Sequence, residues 1–103
     1  MNGRKEIKIM NNYETIFLIK ENTTEEQRDN ITQKIKEFLY ENGKVMKEES
    51  IGLKTLAYEI RKCKKAYYFI IEFEAKLSII HELETIYKKT DDIIKFITIR
   101  KDS

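Results

Sequence analysis

Apolar positions recur at strand spacing in four stretches of the chain and at helical spacing in two. Tyr13–Lys20, "YETIFLIK", is a short run of β-branched, aromatic and other apolar residues that predicts a strand. "ENTTEEQ" follows, in which Thr24 and Gln27 have the spacing of a capping box. Glu25 and Glu26 stand where the positive end of a helix favours anions. Ile31, Ile35, Phe38 and Leu39 then recur as one apolar stripe of a helix. Asn42-Gly43 supplies the stop, with Gly43 expected in a left-handed cap. Lys44–Ile51 predicts a weak, polar strand, with Val45 and Ile51 on one parity and Lys47 and Glu49 between them. Such charges suit a sheet edge, where they block unwanted pairing. Lys54–Ile60 continues it, with Leu56, Tyr58 and Ile60 alternating, and Arg61–Lys65, "RKCKK", reads as a polar turn. Ala66–Ala75, "AYYFIIEFEA", is the strongest strand pattern. Lys76–Lys89 predicts a second helix with a stripe of Ile79, Ile80, Leu83, Ile86 and Tyr87. Thr90-Asp91-Asp92 breaks it before a last strand, Ile93–Arg100.

Both helical stripes need a sheet to cover. The order strand, helix, strand, strand, helix, strand predicts an α+β fold, a ferredoxin-like βαββαβ sandwich. Its four-stranded antiparallel sheet would carry both helices on one face. Right-handed crossovers place the first and third strands in the centre and the second and fourth at the edges. Parity then assigns the faces of the third strand. Burying Tyr67, Phe69, Ile71 and Phe73 under the helices leaves Tyr68, Ile70, Glu72 and Glu74 on the open face. The opposite choice would bury Glu72 without a partner, which is costly.

At 103 residues the chain has the length of one domain. Residues 10–103 are expected to form it. Residues 1–9 are expected to be a short disordered extension or the product of an upstream start, since Met10 opens a second plausible beginning, "MNNYE". Charged residues reach 37% while the net charge is only +2, so a nucleic-acid surface would have to come from local segregation of charge. One Cys excludes an internal disulfide and fits a reducing cytoplasm. One Cys and one His cannot make a four-ligand zinc site, so no metal and no cofactor is expected. No apolar run approaches the length that spans a bilayer, and no membrane or small-molecule substrate is expected.

Catalytic patterns are weak. His81 lies off the apolar stripe of its helix and reads as solvent-facing, and Cys63 reads as a bystander in a hairpin without a positioned base. The glycines are isolated, so they form no phosphate loop. An enzyme is not expected. The cations of the second hairpin are the more informative feature. Lys54, Arg61, Lys62, Lys64 and Lys65 cluster there, and Lys95, Arg100 and Lys101 lie along the last strand. Such residues neutralise phosphates without reading bases. A solvated lysine-rich turn is the alternative reading. The open face, part acidic, is a poor base-stacking platform and a plausible protein contact.

"GLKTLAYEIR", with Gly52, Lys54, Leu56, Ala57, Tyr58, Ile60 and Arg61, resembles the signature of the sixth protein of the bacterial small ribosomal subunit. Tyr13-Glu14 and "YYFIIEFEA" are also similar to that family, and the likeness runs over about residues 10–101. Thr55, Glu59, Ile51 and Lys54 depart from it. The resemblance implies a ferredoxin-like fold and no catalysis. It implies a cytoplasmic, ribosome-associated protein that binds the central domain of 16S ribosomal RNA with small-subunit protein eighteen as a heterodimer. Carried over by position, Lys54 and Arg61 are expected at RNA and Tyr58 mainly in the packing of the hairpin. Charge and position add Lys62, Lys64, Lys95 and Arg100 as RNA-binding residues. Met46, Tyr68 and Ile70 are the expected protein contacts. The rival reading is a non-catalytic regulatory or protein-interaction domain of the same fold.

Overall fold

The computed structural model describes residues 9–101. Residues 1–8, most of the expected N-terminal extension, lie outside the described residues. The elements run β1 (Asn11–Lys20), α1 (Glu25–Asn42), β2 (Gly43–Ile60), β3 (Cys63–Ala75), α2 (Leu77–Lys89) and β4 (Ile93–Arg100). The sheet order is β2-β3-β1-β4, and every pair is antiparallel. The fold is thus the ferredoxin-like sandwich, with β1 and β3 in the centre.

The core lies between the helices and one face of the sheet. Phe17, Ile19, Ile35, Leu39, Phe73, Leu83 and Tyr87 are almost wholly buried there. Each such side chain contributes on the order of 1.5–3 kcal/mol by leaving water. Phe17 stacks on Phe69 at 5.4 Å, and Tyr87 sits between Phe17 at 5.3 Å and Phe96 at 5.0 Å. Phe69, Ile71 and Phe73 join this core as their parity requires. Tyr67 also packs against it and lies under the Arg28 guanidinium, 3.7 Å from its ring centroid. Thr15 is the buried polar side chain of β1, and its hydroxyl bonds those of Tyr87 and Thr98 at 2.8 Å each. Burial pushes the Tyr87 hydroxyl well above the ordinary tyrosine range, a shift that the bond with Thr15 only partly offsets.

The N-terminal signal of α1 works as its sequence requires. Thr24 accepts from the Gln27 backbone N–H, and the Gln27 side chain accepts from the Thr24 N–H. The C-terminal expectation fails. Gly43 has φ 178°, an extended conformation, and is the first residue of β2. Its glycine is required by space instead. It pairs with Ala75, and a Cβ there would overlap the carbonyl oxygen of Glu74.

The second hairpin also departs from expectation. Gly43–Ile60 is one continuous strand, and the turn is Arg61-Lys62 alone; Cys63, Lys64 and Lys65 already belong to β3. The register slips between Val45 and Lys47 and again between Ser50 and Gly52, so Met46 and Ile51 are unpaired extra residues. The Met46 bulge breaks the parity expected to link Val45 with Ile51. Glu48 therefore falls on the helix side, where it pairs with Lys36 of α1 at 3.0 Å. Gly52 takes φ 98° at the second bulge, the left-handed region that glycine tolerates.

Candidate nucleic-acid interface

Between the pairs Thr55–Lys65 and Ile60–Cys63, β2 has four residues against one on β3. That excess bends the arm. β2 and β4 are opposite edges of the sheet, yet the arm reaches β4. Arg61 Nη1 donates to the carbonyl oxygens of Asp91 at 3.1 Å and Ile93 at 3.4 Å. Lys95 Nζ donates to the Tyr58 hydroxyl at 3.3 Å. Beneath the arm lies a second apolar cluster of Leu18, Leu56 and Ala66, with Ile16, Ile60, Cys63, Tyr68 and Ile94 against it. The hairpin end therefore folds across the open face and is fixed there by apolar contact and two polar clasps.

The turn itself is strained. Arg61 has φ 51° and Lys62 φ 66°. A two-residue hairpin turn with both φ positive matches the twist of its strands, but it favours Asn and Gly. For other L-residues the left-handed region costs roughly 1–2 kcal/mol each. Two cations occupy it here, and both are exposed. Lys64 follows on β3, and Lys54 faces Ala66 on β2, each exposed. Lys54, Lys62 and Lys64 have no ion pair among the described residues. Lys20, by contrast, is paired with Asp92 at 3.1 Å beside the same turn.

The structure brings Arg61, Lys62 and Lys64 together at the hairpin end, with Lys54 further down the arm and Lys95 below it. Arg100 is set apart. It pairs with Tyr13, whereas the hairpin end lies beyond Lys20, the other end of β1. Those positions are seven residue steps apart along the strand, or on the order of 20 Å. Arg100 also shares the parity of Phe96 and Thr98, which face the helices.

The expected protein contacts are partly united. Tyr68 and Ile70 lie side by side on the open face, half-buried. Met46 stands at the edge bulge, nearer the start of β2 than Glu49, the partner of Ile70, and is 55% exposed. Ile97 and Ile99 of β4, not foreseen from sequence, add exposed apolar surface at 52% and 46%. A cleft of about 250 Å³ opens beside them, lined by Leu18, Leu56, Tyr58, Tyr68, Lys95 and Ile97 among others. At the far end of the face, Glu72 holds Lys101 at 3.0 Å and by that hydrogen bond raises its ammonium above the usual lysine value.

Tyr58 corrects its expectation. It does not bury itself in the hairpin but stands 66% exposed. Cys63 is half-buried in the second cluster. His81 is exposed, as its position off the stripe requires. Among the described residues no three His, Cys, Asp or Glu side chains are grouped to hold a metal, and no helix is long and apolar enough to cross a membrane.

Comparison with known proteins places this geometry. A solved structure of the 30S ribosomal protein S6 from Thermotoga maritima superposes with a TM-score of 0.86 at 35% identity, covering 90% of this chain and 89% of that one. The small ribosomal subunit protein bS6 of a Nitratiruptor species is 38% identical over 95 residues, 91% of this chain and 74% of its own length. The protein of that name from Heliobacterium modesticaldum is 35% identical over 94 residues, 90% of this chain and 98% of its own. The family profile described as "Ribosomal protein S6" matches residues 12–100, and on these grounds the chain belongs to the ribosomal protein S6 family of the small ribosomal subunit.

Proposed function

We propose that this protein is a non-enzymatic, ribosome-associated component that binds the central domain of 16S ribosomal RNA together with small-subunit protein eighteen, as a heterodimer. RNA phosphates lie against Lys54, Arg61, Lys62, Lys64 and Lys95 at the hairpin end. Arg100 makes a separate contact at the other end of β4. The protein partner covers the open face about Tyr68 and Ile70, with Met46 at its margin.

One observation carries the RNA reading. Two cations occupy the left-handed positions of a turn that Asn and Gly would fill with less strain, and Lys54 and Lys64, which have no ion pair among the described residues, flank them. Backbone strain of this kind persists where function uses it. The polar clasps to β4 hold these charges on a rigid arm, which lowers the ordering cost of binding. Exposed Ile97 and Ile99 beside an apolar cleft support a protein on the open face. The small net charge of +2 fits a protein that shares RNA binding with a partner.

The test is binding of the heterodimer to the isolated central-domain RNA across a salt series. Each phosphate-contacting cation removed should lower the salt slope by about 0.9. Slopes unchanged by removing Lys54, Lys62 and Lys64 together would mean that RNA lies elsewhere.

A further inference from the structure

Tyr58 is two-thirds exposed, while the aromatic rings of β1 and β3 are buried or half-buried. It is nevertheless held. Lys95 Nζ stands 5.5 Å from the ring centroid and 3.3 Å from the hydroxyl oxygen. That contact joins the arm to β4 by holding the ring at its hydroxyl end. The ring borders two environments: it lines the apolar cleft with Leu56, Tyr68 and Ile97, and along the arm it lies in a sequence that carries Lys54, Arg61, Lys62 and Lys64, with Glu59 as the neighbouring carboxylate. Cores of protein interfaces are depleted in charge. A fixed aromatic plane along a track of cations is instead how proteins hold unpaired nucleotides, with phosphates on the cations and a base on the ring.

We propose that Tyr58 is a nucleobase-stacking residue and that Lys95 positions its ring. The ligand is an unpaired base of the RNA whose phosphates meet the hairpin cations, so the inference rests on the proposed RNA reading. Stacking is sequence-tolerant, because every base has a π-face. The site therefore selects for a base free of pairing, in a loop or bulge, and not for its identity.

The experiment compares wild type, Tyr58→Phe, Tyr58→Leu and Lys54→Ala, each with protein eighteen, on central-domain ribosomal RNA over a salt series. Tyr58→Leu should weaken binding roughly 5- to 150-fold at every salt concentration, the range of one lost base–aromatic stack. Its salt slope should not change, because no charge is removed, whereas Lys54→Ala should lower the slope by about 0.9. Tyr58→Phe should bind between wild type and Tyr58→Leu, because it keeps the ring for stacking but loses the hydroxyl that Lys95 holds. Ultraviolet cross-linking of the wild-type complex should attach a nucleotide at Tyr58. Tyr58→Leu binding as tightly as wild type would overturn the inference and leave the RNA reading standing. Wild type that binds no RNA would overturn both. A Tyr58→Leu defect in pairing with protein eighteen, measured without RNA, would assign the ring to the protein partner and overturn the inference.

Discussion

Lys62→Gly separates what the turn does for the fold from what it does for RNA. Lys62 sits at φ 66° with an exposed side chain. Glycine removes a left-handed cost of roughly 1–2 kcal/mol. It also loosens the unfolded chain, which opposes this by roughly 0.5–1 kcal/mol. The net expectation is a gain of about 0.5–1 kcal/mol. At an m-value of about 1.5 kcal/mol/M, that raises the urea midpoint by about 0.3–0.7 M. The same change removes one cation from the hairpin end. The salt slope of RNA binding by the heterodimer should fall by about 0.9, with weaker binding at low salt. Stability should rise as binding falls. A lowered midpoint would refute the claim of strain, and an unchanged slope would refute the placement of Lys62 at phosphate.

Gly43→Ala should cost on the order of 1–3 kcal/mol in urea unfolding, because the new methyl meets the Glu74 carbonyl and not a movable side chain. If the fold relaxes without cost, the close pairing of β2 with β3 is not what demands glycine. Arg61→Lys keeps the charge but not the guanidinium fork that reaches two carbonyls. It should lower stability by about 0.5–1.5 kcal/mol with the salt slope intact; a fall in slope would mean the clasp matters less than the RNA contact. Tyr87 stays protonated in the fold above the pH at which it ionises when unfolded, about 10. Above that pH the unfolded state binds fewer protons than the folded one, so this group makes stability fall by up to about 1.4 kcal/mol per pH unit. Tyr87→Phe should remove that part of the slope, and equal alkaline slopes in both proteins would contradict the burial argument.

The fold was readable from the sequence because its signals agree. The capping box at Thr24, the stripes of both helices and the parity of Tyr67 to Phe73 each pointed to the same sandwich, and β4 has the predicted bounds. What escaped was geometry set by pairing between distant residues. No local signal marks the bulge at Met46, since the strand reads as polar in either register. Gly43 looked like a helix cap because glycine after Asn42 fits one, and only the approach of Glu74 shows the other reason. The fold of the arm over the open face was equally hidden. It depends on four residues of β2 meeting one of β3, and on carbonyls of Asp91 and Ile93, 30 and 32 residues away from Arg61. The cations were visible as a cluster in the chain. Their division into a hairpin group and a distant Arg100 was not, because it follows from strand direction and register.

The most direct test of the account is the affinity of the wild-type protein for central-domain 16S ribosomal RNA, with and without protein eighteen, beside the triple variant Lys54→Ala, Lys62→Ala, Lys64→Ala. Tight binding is expected only with the partner, with a salt slope lower by about 2.7 in the variant. Binding that needs neither the partner nor these lysines would contradict that expectation.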